Sequence, residues 1–110
     1  MSDTIVLPGT QEKEEVKTKR QPPYNVILHN DDDHTFQYVI AMMQQLFGYP
    51  PEKGYQIALE VHTSGRCVVL TTTKEHAELK QDQIHAFGPD PWSTKDCKGS
   101  MTAVIEPAMG

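Results

Sequence analysis

Tyr24-Asn25-Val26-Ile27-Leu28-His29-Asn30-Asp31-Asp32-Asp33-His34-Thr35 is the stretch on which the fold turns. Its first half reads as a strand over 24–29, with Tyr24, Val26 and Leu28 on one face and Ile27 on the other. The acidic run from Asn30 then breaks the strand. A helix follows over 35–47, where Val39, Met42, Met43, Leu46 and Phe47 recur at helical spacing and Gly48 closes the last turn. His34 and Gln37 have capping-box spacing, although Asp33 and Thr35 are the better cap residues.

Working outward, Pro22-Pro23 marks the boundary of a folded part over 22–110. Residues 1–21 form a flexible tail. Acidic and basic residues alternate through Glu12-Lys13-Glu14-Glu15-Val16-Lys17, and such a segment buries too little apolar surface to offset its ordering entropy. On the other side, a second helix starts near Pro51 and carries Tyr55, Ile57, Ala58, Val61 and His62 before Ser64-Gly65. Residues 66–73 read as a strand whose Val68, Val69 and Leu70 imply burial on both faces. A third helix over 74–87 has Ala77, Leu79, Ile84 and Phe87 as its apolar positions, with Glu75, His76, Glu78, Lys80, Gln81 and Asp82 on a solvated side. Gly88-Pro89-Asp90-Pro91 stops it. A polar loop over 92–100 leads to a short strand over 101–106. The order is βααβαβ, an α+β plan with three helices on a small three-stranded sheet.

The 110 residues fit one small domain. A net charge of -5 and the lack of a Lys/Arg cluster in the body of the chain argue against nucleic acid. Cys67 and Cys97 are too few and too far apart for a disulfide framework, so a reducing compartment is expected. No stretch has the length of a membrane span, and Ile5-Val6-Leu7 is too short for a signal peptide. The chain reads as cytoplasmic.

Two features carry chemistry. The acidic run, at the mouth of a packed domain, forms a negative patch of acceptors suited to a cationic ligand rich in N–H groups. Its plainer reading is a turn, a helix cap and one solvated carboxylate. His62, on the last turn of the second helix, either complements the helix dipole or accepts a hydrogen bond beside an apolar cavity. His29, Asp31, His34, His62 and the cysteines include metal-ligand types, but no pair has established zinc spacing, and no nucleophile stands in a recognisable elbow. No metal, cofactor or catalytic residue is expected. Met42 and Met43 read as core filler.

Taken together, Pro22-Pro23-Tyr24-Asn25-Val26-Ile27-Leu28-His29-Asn30-Asp31-Asp32, Phe47-Gly48-Tyr49, Gln56-Ile57-Ala58-Leu59-Glu60-Val61-His62-Thr63-Ser64-Gly65 and Thr73-Lys74-Glu75-His76-Ala77-Glu78-Leu79-Lys80 resemble the ClpS family, adaptors that deliver N-end-rule substrates to a Clp AAA+ unfoldase–peptidase. The N-D-D run combined with V-H-x-x-G is the specific part. The resemblance implies a non-catalytic, monomeric adaptor whose Asn30, Asp31 and His62 hold the free α-amino group of a substrate. Asp32, His34, Phe36, Val39, Ala58, Val61 and Met101 would line the pocket for a first residue such as Leu, Phe, Tyr or Trp. Glu75 and Lys80, with the tail, would contact an unfoldase of the ClpA or ClpC type. The chain departs from the family pattern in three places. Asp33-His34-Thr35 replaces an aromatic-Thr-Pro approach to the first helix. Phe36 stands where Met is common, and Ala58 where a larger apolar residue is usual. The connection over 88–100 is about half a dozen residues longer than usual, in a position where compact domains keep loops short. The alternatives are a binding module of the same fold with another partner, and a small metal-dependent hydrolase using His62 and the acidic run.

Overall fold

The run Val26-Ile27-Leu28 is fully buried, because the strand that carries it, β1 (Tyr24–His29), is the centre of the sheet. The computed structural model describes residues 21–31, 33–95 and 99–108. The tail over 1–20, Asp32 and Cys97 lie outside the described residues. Six elements follow in the expected order: β1, α1 (Phe36–Phe47), α2 (Pro51–Ser64), β2 (Arg66–Thr72), α3 (Lys74–His85) and β3 (Ala103–Pro107). The sheet order is β2-β1-β3, and both pairings are antiparallel.

Local chemistry explains the boundaries. Thr35 caps α1 by accepting the Tyr38 N–H at 3.2 Å. Gly48 ends it in the left-handed region at φ 73°. Thr73 caps α3 by accepting the His76 N–H, which takes it out of the expected second strand. α3 stops at His85, two residues before Phe87, and Phe87 packs against the core from beyond the helix end. Met101 likewise precedes β3 rather than opening it, yet it is buried.

The helices cover one face of the sheet, where Val26, Leu28, Cys67, Val69 and Ala103 meet Tyr38, Met42, Met43, Ile57 and Ile84. The expectation that β2 is buried on both faces is corrected. A register shift between Val26 and Ile27 pairs Val26 with Leu70 and Ile27 with Val68. Cys67 and Val69 point into the core, while Val68 between them is 46% exposed by ordinary strand alternation. Leu79 is also exposed rather than apolar filling. Helices α1 and α2 come close at Gly54, where an added Cβ would lie 3.1 Å from the Ile40 Cα. None of the described helices is long and apolar enough to cross a membrane.

Cys67 reports on this core. Burial, and secondarily the Glu60 carboxylate, push its thiol from 9.0 up to about 11. In the unfolded chain the thiol ionises near its ordinary value, so between pH 9 and 11 the folded state holds the extra proton and stability falls with rising pH. The expected loss approaches about 2–3 kcal/mol. Urea melts across this range should show a steeper decline for the native sequence than for Cys67→Ala. Equal slopes would contradict the assignment.

Candidate functional site

The site forms where β1 leaves the sheet, α1 begins and α2 ends. The Asn30 N–H donates to the Gly65 carbonyl at 3.0 Å, which ties the first residue of the acidic run to the C-cap of α2. His62 lies in the last turn of that helix and is exposed. Phe36, the first residue of α1, sets its ring edge-on to the His62 ring at 5.8 Å and to the Tyr55 ring at 5.6 Å. The segment from Asn30 to Phe36 and the distant His62 thus share one end of the molecule. Val39, Ala58, Val61 and Met101 lie in the core cluster against which the partly buried Phe36 packs. Phe36 thus connects the buried core to the exposed His62.

Asp31 is built into its own turn. Its Oδ1 accepts the N–H groups of Asp33 at 3.0 Å and His34 at 3.2 Å. Its Oδ2 lies 2.6 Å from His34 Nδ1. A carboxylate offers about four acceptor directions. Three are used within the turn, so Asp31 presents its negative charge and one remaining direction. Its side chain is 30% exposed.

His34, expected on the pocket wall, is held by contacts on both sides of its ring. Its side chain is 4% exposed, and the ring spans from Asp31 to the Gly99 carbonyl, 2.8 Å from Nε2. It also lies 4.4 Å from the Tyr38 ring. His34 is an internal brace beneath the acidic turn. Both ring nitrogens face oxygen atoms.

The two residues expected to meet an unfoldase differ in their surroundings. Glu75 is exposed in the first turn of α3, beside an open groove of about 860 Å³ lined by Pro22, Pro23, Thr72, Thr73, Lys74 and Glu78. Lys80 is half-buried. Its ammonium donates to the Leu46 carbonyl and to Gln83 and lies 5.2 Å from the Phe47 ring centre. It latches α3 to the end of α1 rather than lying on a solvated face. Among the described residues, no three of His, Cys, Asp and Glu are grouped so as to hold a metal ion.

Sequence reasoning missed two members of this region. Tyr55 stands seven residues before His62, a spacing that places both on one stripe of a helix, and this signal was available. Asp90 sits in a helix-stopping Gly-Pro-Asp-Pro segment, and no periodicity marks it.

Comparisons with known proteins identify the family and the fold. Residues 19–90 match the family model described as ATP-dependent Clp protease adaptor protein ClpS. A ClpS adapter protein from Vibrio atlanticus is 35% identical over 85 residues, covering 76% of this chain and 80% of the relative. One from Streptomyces avermitilis is 36% identical over 92 residues, covering 82% and 86%. Among solved structures, Agrobacterium tumefaciens ClpS2 bound to L-phenylalaninamide superposes with a TM-score of 0.68 at 23% identity, covering 81% of this chain and all of that one. The shared βααβαβ fold and a family match that contains β1, the acidic turn, α1, α2, β2 and α3 lead to one assignment: this chain belongs to the ClpS family of ATP-dependent Clp protease adaptor proteins.

Proposed function

We propose that this adaptor recognises the free α-amino group and bulky apolar first residue of a substrate chain, and delivers it in the cytoplasm to a Clp AAA+ unfoldase of the ClpA or ClpC type. The observation that supports this reading is that the Asn30 N–H is held by Gly65, at the C-terminus of the helix that carries His62, while the Phe36 ring packs against both His62 and the core. An α-ammonium has one positive charge and three donors. Asp31 offers charge and one acceptor direction, the Asn30 amide a neutral acceptor, and a ring nitrogen of His62 a lone pair. An acetylated or internal residue leaves these groups unmet, which discriminates more sharply than added contacts. The Agrobacterium structure supports the reading, since its ligand, L-phenylalaninamide, joins an amine to an aromatic side chain.

Burying one large side chain contributes about 1.5–3 kcal/mol. Each charge-assisted hydrogen bond adds about as much. Less the cost of fixing the peptide end, the sum suits an affinity near micromolar, about -8 kcal/mol. Such a courier releases its cargo. Exposed Glu75 and the adjoining groove are the surface offered to the unfoldase, with the latch at Lys80 holding α3 in place.

Fluorescent peptides beginning Leu, Phe, Tyr or Trp, each with a free or acetylated N-terminus, test the site directly. Acetylation is expected to abolish binding of the best peptide, whereas equal binding of both forms would refute an amino-group site. Peptides beginning Ala should bind weakly for want of apolar contact.

A further inference from the structure

The connection between α3 and β3 folds back over the acidic turn. The Asp90 carboxylate accepts the Thr35 N–H on Oδ2 at 2.7 Å, and the Thr35 hydroxyl reaches its Oδ1 at 3.4 Å. That Oδ1 also accepts the Trp92 N–H at 2.8 Å, closing the loop's own turn. Further along, the Ser93 hydroxyl donates to the Asp33 carbonyl at 3.1 Å, and the Gly99 carbonyl meets His34.

Asp90 is 5% exposed, the one buried charged or polar residue among those described. A carboxylate so placed is unfavourable unless its oxygens are hydrogen-bonded. Here they are, by the cap residue of α1, at the helix end that favours negative charge. Thr35 follows His34, whose backbone N–H and ring both engage Asp31. Covalent and hydrogen bonds therefore run without a break from Asp90 through Thr35 and His34 to Asp31. A proline at position 35 would have no N–H for such a link.

We infer that Asp90 is a positioning residue for recognition of the substrate N-terminus: through Thr35 and His34 it fixes the direction in which Asp31 presents its charge, without touching the peptide. This rests on the function proposed above.

The test is a double-mutant cycle in the full chain, read by binding of a free-amine Leu-leading peptide. Asp90→Asn keeps the shape but replaces one acceptor oxygen with a donor, so the Thr35 and Trp92 bonds cannot both survive. In the native background it is expected to weaken binding at least about fivefold. In an Asp31→Ala background its effect should shrink to under about twofold, because the group it positions is gone. Losses of equal size in the two backgrounds, or no loss in the first, would overturn the positioning role. Should Asp90→Asn fail to fold, the unmutated protein gives a second reading by amide NMR. The Thr35 amide should shift, and exchange more slowly, on adding the free peptide but not the acetylated one. An unresponsive Thr35 amide would overturn the inference. Failure of the underlying function is distinguishable, since the native protein would then bind free and acetylated peptides alike.

Discussion

Asp31→Ala is expected to weaken binding of a free-amine peptide by about 10–100-fold, the loss of one charge-assisted partner worth about 1.5–3 kcal/mol. The same change should also loosen the domain. Asp31 accepts two backbone N–H groups and the His34 ring. His34 is almost fully enclosed, so removing the carboxylate leaves a buried donor unmatched, at about 1–3 kcal/mol. Asp31→Asn separates the two effects. Its carbonyl oxygen can still accept the turn's backbone donors, so stability should recover more than affinity. Fluorescence anisotropy for binding and urea denaturation for stability make the comparison. Native-like affinity in Asp31→Ala would remove Asp31 from the recognition site.

Tyr38→Ala is expected to be the most destabilising single change, by about 3–5 kcal/mol on the scale of aromatic truncations in cores. Tyr38 is fully buried. Its ring meets His34 at 4.4 Å and Phe87 edge-on at 5.3 Å, and its hydroxyl donates to the Gly88 carbonyl at 2.6 Å. This one side chain joins the first turn of α1, the acidic turn and the start of the long connection. Tyr38→Phe keeps the packing and removes only the donor; the Gly88 carbonyl keeps the Ser100 hydroxyl at 3.4 Å, so the loss should be about 0.5–1.5 kcal/mol, that of one ordinary hydrogen bond. In a domain of this size each kcal/mol shifts the midpoint by about 4–8 °C. Thermal melts should therefore place Tyr38→Phe between the native protein and Tyr38→Ala. A Tyr38→Ala midpoint within a few degrees of native would contradict the packing argument.

Most of the candidate site was legible because its residues sit at punctuation points. Asn30 follows a strand with an unmistakable apolar pattern, Phe36 opens a helix with a clear stripe, and His62 closes another just before Ser64-Gly65. Such positions converge whenever the intervening elements pack antiparallel. The misreadings have particular causes. Val68 looked buried because a continuous apolar run conceals the alternation that buries Cys67 and Val69 and exposes Val68. Lys80 looked solvated because its acceptor, the Leu46 carbonyl, belongs to a helix end 34 residues earlier. The contacts of His34 were not legible because its ring meets the Gly99 carbonyl, 65 residues away.

The amino-acid sequence alone determined the six elements, their order and the family resemblance, because periodicity, caps and turn residues act over a few positions. The tertiary structure decided which way the acidic turn faces. That direction depends on Asp90 reaching Thr35 across 55 residues and on Gly88 receiving the Tyr38 hydroxyl across 50. Neither contact leaves a local pattern, since a hydrogen bond between distant segments constrains where they meet in space and not how their residues are spaced along the chain.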